Sequence, residues 1–305
     1  MDTRLLIRFI AVIETGSFSR AALKLNISQP AISKSISALE VRLGVELLDR
    51  MSRGLSPTAY GEKLFARAKL ITAETARLES EIEAMRNLMV GKVSIGAPGF
   101  STPVLSAAIS RLARRDKHIS IRCLTGPRDV LIRPLTLGEL DFIIATLNDD
   151  QPEGITQEEL YVDYYSFVVK PGHPLSKKEM VNMRDLVSYP WIVSNSSTER
   201  SLRRAVRAAG LGFHLSTIQS NASALVNALL LDGDYVAPVP RETLRRELDE
   251  GSLCQLSLDE ELAALDFLQG QRIGLLRREG IGLSAAAAAL ITEIKNGCIH
   301  INKAP

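Results

Sequence analysis

Cysteine is nearly missing from this 305-residue chain. Cys123, Cys254 and Cys298 stand far apart with no CxxC pair, so neither a disulfide framework nor a thiolate zinc site is encoded, and reduced thiols are expected. His118, His173, His214 and His300 share no metal or catalytic spacing. The chain has no GxSxG, no GxGxxG and no P-loop run, so catalysis has little support and neither a cofactor nor a metal is expected. Long hydrophobic runs are also lacking: none reaches the roughly 18 residues that a membrane span needs. The N-terminal "MDTRLLIRFIAVIETGSFS" is interrupted by Arg8 and Glu14 and shows no small-residue cleavage pattern. It reads as an amphipathic helix, not a signal peptide, and a cytoplasmic protein is expected. A net charge of +2 is too small to imply a partner. The length is about twice that of a usual domain, so two or three domains are expected.

What charge there is lies unevenly. Residues 1–60 hold eight Lys and Arg against five Asp and Glu, which leaves the rest of the chain near neutral. A mildly basic N-terminal piece permits nucleic-acid binding without establishing it. Its pattern is helical. Leu5, Ile7, Phe9, Ile10, Val12 and Ile13 suit a buried first helix that ends at Gly16. Ser17 can cap the short helix "FSRAALKL", whose packing face is Ala21, Ala22 and Leu25. Asn26–Ile27 make a tight turn, and Ser28 can cap a third helix. Pro30 falls in that helix's first turn, where a missing N–H costs nothing.

In the third helix Ile32, Ile36, Leu39 and Leu43 form one buried stripe. The opposite side carries Gln29, Ser33 and Ser37, with Pro30 and Lys34 beside them. Short hydroxyls, one amide and one cation let a helix sit close to DNA, where Gln can pair with adenine, Ser can meet bases or phosphates, and Lys can meet guanine or phosphate. Composition alone leaves this face open between a solvated helix and a DNA-facing one. The order of helix, short helix, tight turn and small-polar helix is that of a helix-turn-helix. After Gly44, "VELLDRMSRGLSPT" reads as strand, turn and strand: a wing with Arg50 and Arg53 near its tip, where arginine can enter a narrow minor groove.

The run "FxAVxExGSFSRAAxxLxISQPAISxxIxxLExxLGVxLxxR", followed by "LSPTAYGE", resembles the winged helix-turn-helix of LysR-type transcriptional regulators through about sixty consecutive residues. The resemblance implies a sequence-specific regulator that binds an interrupted palindrome in double-stranded DNA and answers to a small-molecule effector. Gln29, Pro30, Ser33 and Lys34 match the family positions that meet the major groove, and Arg53 matches the one that meets the minor groove. Ser28, Ser37 and Arg50 complete the candidate DNA-binding set. Many members carry arginine where this chain has Lys34. The bidentate fork is lost there, so a phosphate contact is expected ahead of a guanine contact.

The implied architecture is α/β with an N-terminal all-α winged helix-turn-helix (1–58), a long linker and dimerisation helix (59–90) and an effector-binding domain (91–297). In the helix, Leu64, Ala68, Ile71, Thr75, Leu78, Ile82, Met85 and Met89 repeat at spacings of four and three. Such a stripe can pack on its own domain or on a partner helix, and its narrowness and the resemblance favour a homodimer or homotetramer. From Gly91 onward, short apolar runs alternate with helical segments: "KVSIG", "ISIRCL", "LDFIIAT", "SFVVK", "PWIVS", "STIQS" and "YVAPVP". Helices are expected near 103–115, 129–138, 199–209, 222–231, 241–250 and 283–295, covering largely parallel sheets. The resemblance makes these two Rossmann-like lobes of periplasmic-binding-protein type. Lobe 1 takes about 91–162 and 265–297, and lobe 2 takes about 163–264.

Ligands of open α/β lobes sit at the carboxyl ends of strands. The candidates there are Ser101, Thr102, Arg128, Thr146, Ser196, Ser197, Thr198 and Asn221. The hydroxyls can be helix caps instead, and Arg128 can be an anion ligand or an exposed loop arginine. The segment "TGPRDVLIRPLTLGELDFIIA" resembles the branch containing regulators of galactose-binding-protein genes, which implies a sugar or an organic acid such as a sugar acid as effector. Two other readings stay open: a DNA-binding module fused to a small-molecule enzyme domain, and a cysteine-based redox-sensing regulator. Against the second, Cys123 falls inside an alternating strand and is expected in the core.

Overall fold

The computed structural model describes residues 2–49, 55–85, 91–194, 196–212 and 217–301, without the side chains of Ser80, Glu83, Ala84, Met85, Thr102, Ser196, Ser197, Phe267 and His300. The N-terminal unit is α1 (Thr3–Thr15), α2 (Phe18–Leu25) and α3 (Gln29–Leu43). Each helix begins on a side-chain cap: Asp2 accepts from the Arg4 N–H, Ser17 from Arg20, and Ser28 from Ala31. Each ends on a left-handed residue, Gly16, Asn26 or Gly44. Leu6, Phe9, Ala21, Ile32, Ile36 and Leu39 form the core. Two positions differ from the sequence reading. Ile7 is exposed and Leu6 is buried instead, because residues 6, 9 and 10 share one helical face. Leu43 is exposed because α3 runs past the edge of the core.

The wing strands β1 (Leu48–Asp49) and β2 (Ser56–Pro57) pair antiparallel, Leu48 opposite Pro57. Arg50 and Arg53 lie between them, outside the described residues. α4 (Ala59–Met85) follows, 27 residues long and therefore about 40 Å. Its apolar stripe is divided. Phe65 and Ala68 complete the helix-turn-helix core, with Leu64 packed beside them. Ile71, Leu78 and Ile82 remain exposed. Met89 and the Met85 side chain lie outside the described residues.

Two lobes make up the rest. Lobe 1 is built from β3 (Gly91–Ala97), α5 (Thr102–Arg115), β4 (Ile119–Thr125), α6 (Arg128–Thr136), β5 (Phe142–Thr146) and β6 (Ile155–Asp163). The chain then crosses into lobe 2: β7 (Tyr165–Val169), α7 (Met183–Leu186), β8 (Trp191–Val193), α8 (Ser196–Ala208), β9 (Thr217–Gln219), α9 (Ser223–Asp232), β10 (Ala237–Pro240), α10 (Arg245–Asp249), β11 (Cys254–Gln255) and α11 (Glu260–Ala263). It returns to lobe 1 through β12 (Gln271–Arg278) and α12 (Ala285–Ile301). Residues 241–244, expected as α-helix, form a 3-10 turn before α10.

The lobe 1 sheet has the order β4-β3-β5-β12-β6. β4, β3 and β5 are parallel, while β12 runs against both its neighbours. Lobe 2 repeats the scheme. β9 and β8 are parallel, β8 is bridged to β10 through Trp191 and Val236, and β7 runs antiparallel to β10 and β11. The sheets are thus mixed, not largely parallel as expected. The crossovers cause this: β7 and β12 enter from the opposite lobe at the carboxyl ends of the parallel strands, so they must run the other way. Lobe 1 buries Ile95, Leu112, Phe142 and Leu290 on one face of its sheet and Leu131, Leu135 and Ile143 on the other. Among the described residues no helix is long and apolar enough to cross a membrane.

Gly61 gives this architecture a sharp test. A Cβ there would collide with the Leu47 carbonyl oxygen, so the wing backbone lies directly on α4. Helix propensity alone makes Gly→Ala stabilising by about 1 kcal/mol. Gly61→Ala is expected instead to lower the thermal unfolding midpoint, and a raised midpoint would contradict the wing packing.

Candidate nucleic-acid interface and inter-lobe cleft

α3 turns one face outward. Gln29, Pro30, Lys34 and Ser37 are exposed and Ser33 is half-buried, backed by the fully buried Ile32, Ile36 and Leu39. Ser28 is committed to capping through its hydroxyl. The Ser19 hydroxyl donates to Gln29 Oε1 at 3.0 Å, which turns the amide nitrogen of Gln29 outward as a donor. The rotation of α3 is set from behind. Ser35, buried, donates to the Ala31 carbonyl and accepts from Arg8 Nη1, both at 2.7 Å. Sequence reasoning missed Ser19, Ser35 and Arg8. The phase of Ser35, one residue before Ile36 in the buried stripe, was the available signal.

The carboxyl ends of β3, β4 and β5 are adjacent by sheet order, which lines up Ser101, Arg128 and Thr146 along the rim of lobe 1. Thr198 and Asn221 follow β8 and β9 along the rim of lobe 2, Thr198 buried and Asn221 exposed. The rims touch. Thr243 Oγ1 donates to the Phe100 carbonyl at 3.3 Å, and Gly99 packs against the Asn221 carbonyl. Ser101 is fully buried at the N-cap position of α5, yet its hydroxyl makes no cap bond. Arg128 is held within lobe 1, donating to Asn148 Oδ1 and the Asp150 carbonyl, all neutral oxygens. Thr102, Ser196 and Ser197 sit in the first turns of α5 and α8, with side chains outside the described set.

A model of the bacterial regulatory helix-turn-helix protein, lysR family, matches residues 3–62, and a LysR substrate binding domain model matches residues 86–298. The chain belongs to the LysR family. It is 30% identical to the SDS degradation transcriptional activation protein of a Pseudomonas species, over 95% of this chain and 94% of that protein. It is 28% identical to the HTH-type transcriptional regulator GalR of Pseudomonas putida, over 94% of this chain and 72% of that one. The fold is shared with ArgP from Mycobacterium tuberculosis (TM-score 0.70, 19% identity, 98% of this chain and 97% of that chain). It is shared too with full-length CbnR in complex with its target DNA (TM-score 0.64, 19% identity, 97% and 100%).

As a LysR-type protein the chain is a DNA-binding transcriptional regulator with an effector-binding domain, and its relatives are regulators, not enzymes. The fused-enzyme reading is therefore set aside. Cys123 is exposed, not in the core as expected, because β4 is the edge strand of its sheet. Its thiol is pushed above the ordinary value by partial burial, which works against a reactive thiolate.

At the crossing between lobes this LysR regulator holds a group the sequence reading passed over. Asp163 ends β6 and is buried, and neither of its oxygens has a hydrogen-bond partner among the described residues. The amides of Arg241 and Glu242 approach without reaching bonding geometry. Burial pushes the Asp163 carboxyl up to about 7; the Glu242 and Arg241 amides and the Arg241 cation oppose this, and the Glu242 carboxylate adds to it. On the same face, Tyr161 is raised well above its ordinary value, mainly by burial. The folded chain therefore keeps the Asp163 proton to about pH 7, where the unfolded chain releases it near pH 4. The stability this contributes is present at low pH and is lost as pH rises through that window. Asp163→Asn is expected to gain on the wild type by a few kcal/mol as denaturant unfolding is measured from pH 5 to pH 8, each tenfold change in proton affinity being worth about 1.4 kcal/mol. A difference that stays constant with pH would refute the buried, proton-holding carboxyl.

Proposed function

We propose that this regulator reads DNA with the Gln29–Ser37 face of α3 and is switched by a small molecule held between its two lobes. The observation that carries the reading is the small polar row Gln29, Ser33, Lys34 and Ser37, exposed or half-exposed over a fully buried stripe. Ser28 and Pro30 start that helix and let its N-terminus approach the bases. Lys34 meets a phosphate or guanine, and Arg50 and Arg53 of the wing reach the flanking minor groove. Residues 1–58, 59–90 and 91–297 act as reading head, connector and sensor, with lobe 1 formed by about 91–162 and 265–297. The exposed Ile71, Leu78 and Ile82 of α4 take a second copy of the chain. Dimers then present two α3 helices about one DNA turn apart to an interrupted palindrome, and a tetramer pairs two dimers. The regulator works in the cytoplasm.

The effector lies along the two rims, against Ser101, Thr102, Arg128 and Thr146 on one side and Ser196, Ser197, Thr198 and Asn221 on the other. Sugars and sugar acids are the first class to try. The buried Ser101 hydroxyl makes no cap bond and neighbours the Tyr161 hydroxyl, a polar pair beside the rim that supports a polar ligand there. Binding shifts the population of lobe arrangements only if the ligand favours one of them.

DNA duplexes selected from a random pool by the full-length protein supply the test. Lys34→Ala is expected to weaken binding across sequences and to reduce the salt slope by about one. Ser33→Ala combined with Arg53→Ala is expected to abolish site-specific binding. Specific binding that survives both changes would place the reading face elsewhere.

A further inference from the structure

One ammonium group joins three parts of the chain. Lys69 Nζ, on α4, lies 2.6 Å from Glu14 Oε1 of α1 and 2.7 Å from Glu139 Oε1 in the turn between α6 and β5. Only 16% of its side chain is exposed. The second oxygen of Glu14 takes Lys24 of α2 at 2.6 Å. The apolar contacts run in the same direction. Leu137 of lobe 1 packs against the helix-turn-helix core. Gly138, at φ +78, lies so close to α4 that a Cβ would stand 3.0 Å from the Ala73 Cβ. Arg278 of β12 holds the turn from the other side: its Nη1 donates to the Leu135 and Leu140 carbonyls at 2.8 and 3.0 Å, and its Nη2 lies 3.7 Å from Glu74 of α4.

We propose that Leu137–Glu139 of lobe 1 is a latch that holds the helix-turn-helix of the same chain in one orientation, with Lys69 as its positioning residue. Burial by itself would favour neutral forms of Lys69 and Glu14. The paired bonds outweigh it, raising the lysine and lowering the carboxylate, so the charges stay on. A shielded ion pair with short contacts is directional, and Leu137 and Gly138 add shape to it. The latch sits at the C-terminal end of α6, whose N-terminal residue is Arg128 on the lobe 1 rim. α6 is therefore a strut from the rim to the reading head. That strut role rests on the inter-lobe effector reading; the latch itself does not. In a dimer, a latched head fixes the separation and facing of the two α3 helices, so spacing between half-sites becomes part of what is recognised.

The test uses full-length protein and a duplex selected from a random pool. Affinity is measured for that duplex, for one with about five base pairs, half a helical turn, added between half-sites, and for a single half-site. The wild type is expected to lose about tenfold or more on the longer spacer, some 1.4 kcal/mol. Glu139→Gln and Leu137→Ala should each lose several-fold less while binding the single half-site as the wild type does. Lys69→Arg should restore wild-type discrimination where Lys69→Gln does not. Equal spacer discrimination in wild type and both lobe 1 variants overturns the latch, as does a wild type indifferent to spacing. Loss of half-site binding in both variants overturns it too, because the turn would then be needed for folding and not for orientation. The assay contains no effector, so a failure of the inter-lobe effector reading leaves its outcome untouched and the two readings fail separately.

Discussion

α4 packs into two places at once, and the rest of the molecule depends on that. Its Phe65 and Ala68 close the helix-turn-helix core, while its Lys69, Ala73 and Glu74 meet lobe 1. A three-helix unit of about sixty residues has a small core and is marginal by itself. Residues borrowed from α4 enlarge that core. The orientation of α3 follows from this, because Arg8 and Ser35 lock α3 onto α1, and Glu14 of α1 is bonded to Lys69. The helix that carries the candidate reading face is thus joined through α1 and α4 to the sensor domain of the same chain.

The sensor has its own constraint. Each lobe sheet contains a strand that arrives from the other lobe, and both crossings pass the same seam. Asp163 sits at that seam with Glu242 and Arg241 facing it across the lobes. Burial at this seam is what disfavours the charge of the Asp163 carboxyl. The other half of the α4 stripe, Ile71, Leu78 and Ile82, lies beyond the latch and is exposed, so the helix packs only part of its apolar residues on its own chain.

Much of this is legible in the sequence, for physical reasons. The Ile32–Ile36–Leu39 stripe and the capping serines are local signals set by helical period and hydrogen-bond chemistry, and the order of the first three helices follows from them. Ile7 and Leu43 are misread because period alone does not say where a core ends. β12 escapes notice because charges flank it and a glycine breaks its apolar run. Cys123 looks internal from alternation, yet the strand that carries it is at a sheet edge. Asp163 is hidden inside "YVDYY", where aromatic neighbours mask a buried carboxyl. The Glu14–Lys69–Glu139 triad has no sequence signature at all, since its members lie 55 and 70 positions apart along the chain. Arg50 and Arg53, expected near the wing tip, fall outside the described residues.

Whether the reading head and lobe 1 move as one body can be measured by the distance between two spin labels in one chain. Leu23→Cys on α2 and Ser106→Cys on α5 are both exposed positions; Cys123 and Cys254 would be replaced by serine, and the labelled chain mixed with an excess of unlabelled copies. A single narrow distance population that broadens on Glu139→Gln is the predicted result. A broad distribution that is the same with and without Glu139 would contradict it.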